Sequence, residues 1–391
     1  MTIVRVLSAT AAVALSLSLA SCVLEPGSAT PEPSQTASST PSASPVLPEP
    51  ISIFDVSCQD LVAEASIQSL VGDHGPLETS GVSATYRGMQ EAAVLADAGL
   101  SCTWPTLVSG LAIPSVKVTA LADAEGLFAR LKPTLIERPA IYMPAYTEFD
   151  LFESTLVECL DYYVGSIGYV CKWQILVDDI WLAIDLGGVP ATDVYVPVPR
   201  ENPDTSLKPI EPIVEGSQSL TFVSAIVETL REAPRRDVNR RSIEIPACTT
   251  LVDTSALQVM ASGPLEINGD GAPEVLWENP NPATIGDFSM ERAGFKQCVV
   301  YSPLDHWGVQ FRVAPDVNWL LKPPFSVPPG TLSVVEGLGE VYTECYSGEG
   351  ESGCSLTVVG SGAMIAIYMY DSQDSQISLE VARSVLAALP D

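Results

Sequence analysis

Apolar residues along the body of the chain recur in two rhythms, one helical and one alternating, and the same series runs through the chain twice. Cys58, Leu61, Val62, Ile67 and Leu70 fall at helical spacing. So do Cys248, Leu251, Val252, Leu257 and Met260, and each stretch predicts one amphipathic helix. Gly75-Pro-Leu-Glu78 returns letter for letter as Gly263-Pro-Leu-Glu266, where Gly-Pro ends the helix and turns the chain. Ala98-Gly99 ahead of Cys102 matches Ala293-Gly294 ahead of Cys298, and both lead into strand-like sequence. Leu131-Lys-Pro133 recurs as Leu321-Lys-Pro323, with a short helix expected nearby. Glu158-Cys159 and Cys171 then correspond to Glu344-Cys345 and Cys354. Each set precedes an apolar hairpin, turning at Asp178-Asp179 in one series and at Gly360-Ser-Gly362 in the other. Helical runs over 220–230 and 377–389 close the two series.

Strands bracketed by helices in this order predict an α+β fold: two tandem copies of a mainly antiparallel sheet packed with helices. The first copy is expected over 51–233 and the second over 243–391. Between them, 234–242 forms an arginine-rich linker. Its Arg235, Arg236, Arg240 and Arg241, with Arg231 just before, are expected to pair with the acidic domains on either side.

The pattern changes character at the N-terminus. After Arg5 comes an apolar and small-residue run ending in Leu19-Ala20-Ser21-Cys22, with the length and flanks of a cleaved export signal rather than of a spanning helix. Leu19-Ala20-Ser21-Cys22 resembles the lipobox of bacterial lipoproteins. That resemblance implies a signal peptide over 1–21, cleavage before Cys22 and a diacylglyceryl group on its thiol. Two acyl chains, each buried methylene contributing about 0.8 kcal/mol, suffice for stable anchoring. The Ser/Thr/Pro-rich stretch over 22–50 cannot bury a core and reads as a tether of about 30 Å as a coil or about 90 Å as polyproline II.

Nine cysteines are an odd number for an exported chain. With Cys22 lipidated, Cys58, Cys102, Cys159, Cys171, Cys248, Cys298, Cys345 and Cys354 can all pair in an oxidising compartment. Duplication narrows the pairings to the few that both copies can share. The set expected is Cys58–Cys102 with Cys159–Cys171, and Cys248–Cys298 with Cys345–Cys354: the close pairs enclose hairpin-sized loops, and the distant pairs tie the first helix to a strand. Each copy is therefore expected to carry two staples.

Composition mostly removes function classes. A net charge of −29 repels nucleic acid. The two histidines, His74 and His306, occupy different places in the repeat, and no nucleophile elbow, P-loop or zinc motif occurs, so no cofactor, metal or catalytic residue is expected. Glu266-Ile-Asn268-Gly-Asp270-Gly271 imitates the first half of a calcium loop, but Trp277 stands where that loop needs its bidentate glutamate, and a tight turn is the simpler reading. Trp104, Trp173 and Trp181 lie in apolar runs and are expected in the core. Tyr301, Trp307 and Trp319 are the candidates for an exposed aromatic binding surface.

The lipobox, the tether, a helix opening with Cys-x-x-Leu, Cys102-Thr-Trp104 and Glu336-Gly-Leu-Gly-Glu-Val-Tyr342 together resemble secreted actinobacterial lipoproteins that carry a domain of unknown function. The layout is also similar to disulfide-stapled extracellular sensor domains. The lipobox resemblance implies a protein lipid-anchored at the extracellular face of the cell membrane, and a duplication without repeated catalytic groups points to a non-enzymatic binding or sensing module. Its expected partners are the membrane, through the lipid on Cys22, and a cell-wall component or envelope protein, with no nucleic acid. The alternatives are an envelope glycan-acting enzyme using carboxylates such as Asp178 and Asp179 or Glu349 and Glu351, and a lipid carrier.

Overall fold

The central strands of the chain are apolar on both sides, and this dictates how the layers stack. In a computed structural model, residues 50–71, 88–105, 114–137, 146–161, 169–189, 191–195, 211–238, 244–259, 261–269, 284–305, 307–315, 317–321, 330–348, 351–360, 362–370 and 375–389 are described. The first half contains helices α1 (Cys58–Leu61), α2 (Glu64–Val71) and α3 (Met89–Ala96), then strands β1 (Leu100–Pro105) and β2 (Pro114–Leu121). Helix α4 (Glu125–Ile136) and strands β3 (Thr147–Phe149), β4 (Ser154–Asp161), β5 (Tyr169–Val177) and β6 (Ile180–Val189) follow. Two short strands, β7 (Val194–Tyr195) and β8 (Glu211–Pro212), lead to helix α5 (Gln218–Glu232).

The second half runs α6 (Cys248–Leu251), α7 (Thr254–Gln258), β9 (Glu266–Asn268), α8 (Ile285–Arg292), β10 (Lys296–Ser302) and β11 (Trp307–Pro315). A short 3₁₀ turn over Asn318–Leu321 precedes β12 (Thr331–Val335), β13 (Gly339–Gly348), β14 (Glu351–Gly360), β15 (Ala363–Tyr370) and α9 (Ser375–Ala388).

Six strands form one antiparallel sheet in the order β1-β2-β6-β5-β4-β3, and seven form another in the order β12-β13-β14-β15-β11-β10-β9. Read from β10, the second sheet repeats the connection order of the first, with β9 added outside it. The registers agree as well: Cys102 opposes Val118, which opposes Ile184, just as Cys298 opposes Phe311, which opposes Ile367.

Strand β6 turns Ile180, Leu182, Ile184 and Leu186 toward one core and Trp181 and Ala183 toward another. Strand β15 likewise divides Ile365, Ile367 and Met369 from Met364 and Ala366. The period-two alternation thus leaves each sheet with two apolar faces, and both must be covered. Helices α1, α2 and α5 cover the outer face of the first sheet, and α6, α7 and α9 that of the second. The two inner faces share one layer. Met89, Ala92 and Ala93 of α3 pack with Met290 of α8 against Ala314, Met364 and Ala366 of the second sheet. Ile285 and Phe288 of α8 pack with Val94 of α3 and with Phe128, Leu131 and Leu135 of α4 against Leu121, Leu156 and Trp181 of the first. Both halves therefore belong to a single compact unit, Ser44–Asp391.

Three disulfides lie wholly among the described residues. Cys58–Cys102 and Cys248–Cys298 tie α1 to β1 and α6 to β10 with Cα separations of 5.6 and 5.7 Å, and Cys159–Cys171 joins opposed residues of β4 and β5. In the chain-entropy account each contributes about 3–4 kcal/mol by restricting the unfolded chain. Cys354 is also disulfide-bonded, and the ladder sets it opposite Cys345.

Several expectations change. The opening helices are each broken in two, because Val62 (φ −139°, ψ 125°) and Val252 (φ −110°, ψ 119°) adopt extended backbone that turns both Leu61 and Val62, and both Leu251 and Val252, into the core. A further helix precedes β1 in the first half, α3, and β10 in the second, α8. The match of Ala98-Gly99 with Ala293-Gly294 is one residue out of step in space, since the left-handed residue ending the helix is Ala98 (φ 59°) in one half and Gly294 (φ 74°) in the other. On that footing Gln90 and Gly286 hold equivalent places in α3 and α8, and they touch: a Cβ on Gly286 would lie 2.6 Å from the Cβ of Gln90. Gly286→Val should therefore cost about 1–3 kcal/mol by overpacking, measured by denaturant unfolding, and Gln90→Ala in the same chain, which keeps the clashing Cβ, should not recover the loss.

Candidate functional site

Buried and half-buried charges gather where the middle helices meet the sheets. Helix α8 begins with a capping box: the Asp287 amide donates to Thr284 Oγ1 at 3.3 Å, and Asp287 Oδ2 accepts from the Thr284 amide at 2.7 Å. The other oxygen of the same carboxylate accepts from Gln90 Nε2 of α3 at 2.6 Å and lies 3.8 Å from the buried Arg312 guanidinium on β11. Arg312 Nε in turn donates to Gln297 Oε1 at 2.8 Å. Asp287 thus caps its own helix, receives its neighbour and neutralises a strand arginine.

Helix α3 has a parallel arrangement. Glu91, in its first turn, pairs with Lys117 of β2. Burial by itself pulls the Lys117 ammonium down, but Glu91 and, farther off, Asp185 outweigh it and hold its pKa above the ordinary lysine value. Lys117 is therefore charged throughout the physiological range. At the other end of the two helices, Arg292 Nε donates to Asp97 Oδ2 at 2.7 Å, while its Nη1 donates to the carbonyls of Ala122 and Asp123 at 3.0 and 2.9 Å. Asp97 is fully buried, so this pair has been withdrawn from water and is held by a fork that a lysine could not reproduce. Nearby, Arg130 lies 5.0 Å from the centroid of the Phe288 ring and pairs with Glu291 at 3.0 Å, and Phe288 meets Trp181 edge-on at 5.6 Å. These groups neutralise one another and leave no base poised beside a nucleophile. Their work is to hold two sheets on a common layer.

The residues singled out from sequence fall in several places. Trp104, Trp173 and Trp181 are buried as expected. Trp319 is buried too, 4% exposed among Met290, Leu320 and Met364, so it offers no binding surface: the middle layer needs its bulk where the second half has only a 3₁₀ turn in place of α4. Tyr301 is half-buried on β10 opposite Gly308, and the backbone of Trp307 lies at the same end of that hairpin opposite Ser302, with its side chain outside the described residues. Cys22, His74, His306, Asp270, Trp277 and Glu349 also lie outside the described residues. Glu266 to Asn268 of the calcium-like fragment form strand β9, paired with β10, and the rest of it from Asp270 lies outside the described residues. Among the described residues no group of three or more His, Cys, Asp or Glu could hold a metal.

Asp178 and Asp179 form the two-residue turn between β5 and β6 and face arginines: Arg231 reaches Asp178 at 2.9 Å and Arg235 reaches Asp179 at 2.8 Å. Partial burial would raise Asp179, but the hydrogen bond and charge of Arg235 and the Asp123 amide hold it below the usual carboxylate range. Arg236 pairs with Asp55, and Arg235 stacks over Phe54 at 5.0 Å. The described arginines at 231, 235 and 236 therefore fold back onto the first half.

Helices α3 and α8 went unread in the sequence, although Thr284-Ile-Gly-Asp287 carries a capping signature and Met89, Ala92, Ala93 and Ala96 recur at helical spacing. Asp97→Leu and Arg292→Met should each cost about 3–5 kcal/mol in urea unfolding, because each strands a buried charge, whereas the double variant should cost less than the sum. Comparison with protein-family models, with curated proteins and with solved structures finds no match, so function is inferred from sequence and geometry alone.

Proposed function

We propose that the protein is an exported lipoprotein, held at the extracellular face of the cell membrane by lipid on Cys22, whose two related halves together act as a non-enzymatic binding or sensing module. The observation that carries the reading is the set of formed disulfides in a chain that opens with Leu19-Ala20-Ser21-Cys22. Such bonds belong to an oxidising compartment, and a signal followed directly by a cysteine supplies both the route there and the anchor. The remaining bond is Cys345–Cys354, the counterpart of Cys159–Cys171, so that each half carries two staples. The parallel strand orders and the matching cysteines support an origin by tandem duplication, and the sequence resemblance points to an actinobacterial source.

A binding role is favoured over glycan hydrolysis by what the carboxylates do. Hydrolysis needs one carboxyl kept protonated as an acid across a cleft from a second. Asp178 and Asp179 are instead adjacent on a turn, each paired with an arginine, and Asp179 is held below the usual range. The proposed partners are the membrane and an envelope protein or wall component.

Mass spectrometry of the mature protein should find Cys22 at the N-terminus with a diacylglyceryl group, and a non-reduced digest should contain Cys345 joined to Cys354. Cys22→Ser should move the protein from the membrane fraction to the medium. An intact Met1, or a Cys22 thiol without lipid, would overturn the anchor.

A further inference from the structure

The two large sheets end in four edge strands, and three of these are closed to further pairing. Strand β1 is stapled to α1, with Leu100, Ser101, Cys102 and Trp104 buried. Strand β3 has three residues and carries Glu148, which engages Lys132 of α4. Strand β9 also has three residues and includes Glu266. Short strands and edge charges are how native sheets discourage a further strand from adding. Strand β12 has neither protection. Its Thr-Leu-Ser-Val-Val is five residues long and uncharged, with Thr331 through Val334 exposed, Leu332 at 52% and Val334 at 81%.

Both ends of this strand are tied to β13. Gly330, at φ 108°, brings the chain so close to β13 that a Cβ there would lie 2.3 Å from the Thr343 carbonyl oxygen. At the far end, Gly337 and Gly339 at φ 78° and 85° form the turn, closed by the Leu338 amide donating to the Val335 carbonyl at 3.0 Å. The strand thus lies close against β13 at one end and closes in a hydrogen-bonded turn at the other.

We propose that the β12 edge is a docking site for an extended, basic segment of another protein, which adds as a strand alongside Thr331–Val335. Backbone groups on an exposed edge supply the affinity in such pairing, and alternate side chains supply the selectivity. Here Leu332 and Val334 share one face, so the incoming strand carries apolar residues at alternate positions. The charge of the occupant follows from its surroundings: Glu336 in the turn and Glu340 and Glu344 on β13 are exposed, and the whole chain carries −29. That balance favours a cationic strand and disfavours both a second copy of this chain and an anionic lipid surface. The inference deepens the binding role proposed above and rests on it.

The test uses the purified full chain and a short synthetic peptide alternating valine with lysine, beside a counterpart with glutamate for each lysine. The basic peptide should bind, weaken as salt rises, and slow amide exchange across 331–335, while the acidic one should not bind. Val334→Lys, at a position open to solvent, should leave the melting temperature unchanged and weaken the basic peptide by about tenfold or more. Equal binding to the wild type and to Val334→Lys, equal binding of the two peptides, or protection of these amides by self-association of the chain would each overturn the proposal. Lipid on Cys22 is measured independently, so failed peptide binding with the lipid present removes the edge site and leaves the anchored module standing.

Discussion

Arg292 sits at the end of α8 with its guanidinium shared between Asp97 of the first half and the carbonyls of Ala122 and Asp123, and much of the molecule is arranged around that contact. A buried carboxylate beside a nearly buried arginine is expensive to assemble and more expensive to break, because either group alone would be a charge stranded away from water. It therefore acts as a register mark. When α8 lies in the position that lets Arg292 reach Asp97, Phe288 meets Trp181, Asp287 meets Gln90, and Gly286 lies against Gln90. Apolar burial supplies the driving force for joining the halves, and the charges select one way of joining them.

Two sheets, each apolar on both sides, could have been two separate domains if each had its own complete set of covering helices. The outer faces are covered in that way. The inner faces are not, because α3 and α8 each pack on both sheets, and the second half has only a short turn with Trp319 where the first has the twelve-residue α4. Sharing saves a helical layer and removes the freedom of one half to move on the other. A rigid pair of sheets suits a module that presents a fixed edge to a partner: β12 lies at one end of the second sheet, five strands away from its β10–β9 end.

Much of this was legible from the chain. Matched cysteines and the recurring hairpins gave the order of strands, and the same pairing pattern appears as Cys58–Cys102 and Cys248–Cys298. The Asp178-Asp179 turn and the closing helices follow from local chemistry that periodicity reports well. Less legible were features decided by tertiary context. Val62 and Val252 break their helices because burying consecutive residues outweighs continuing the turn, a competition that no helical period reveals. Trp319 carried the same surface signals as any aromatic beside turns, and only the vacancy left by a missing helix explains its burial. The ion pairs of the middle layer were invisible because their members lie far apart in the chain, as with Asp97 and Arg292. The openness of β12 becomes apparent only once the sheet order shows which strand is last.

The central claim is that the shared layer makes the two halves one folding unit. Differential scanning calorimetry of the intact protein with its disulfides oxidised tests it most directly, because a cooperative unit gives equal calorimetric and van't Hoff enthalpies. A single transition with that equality is the predicted result. Two resolved transitions, or a calorimetric enthalpy about twice the van't Hoff value, would mean that the halves unfold independently and that the layer between them is only a contact.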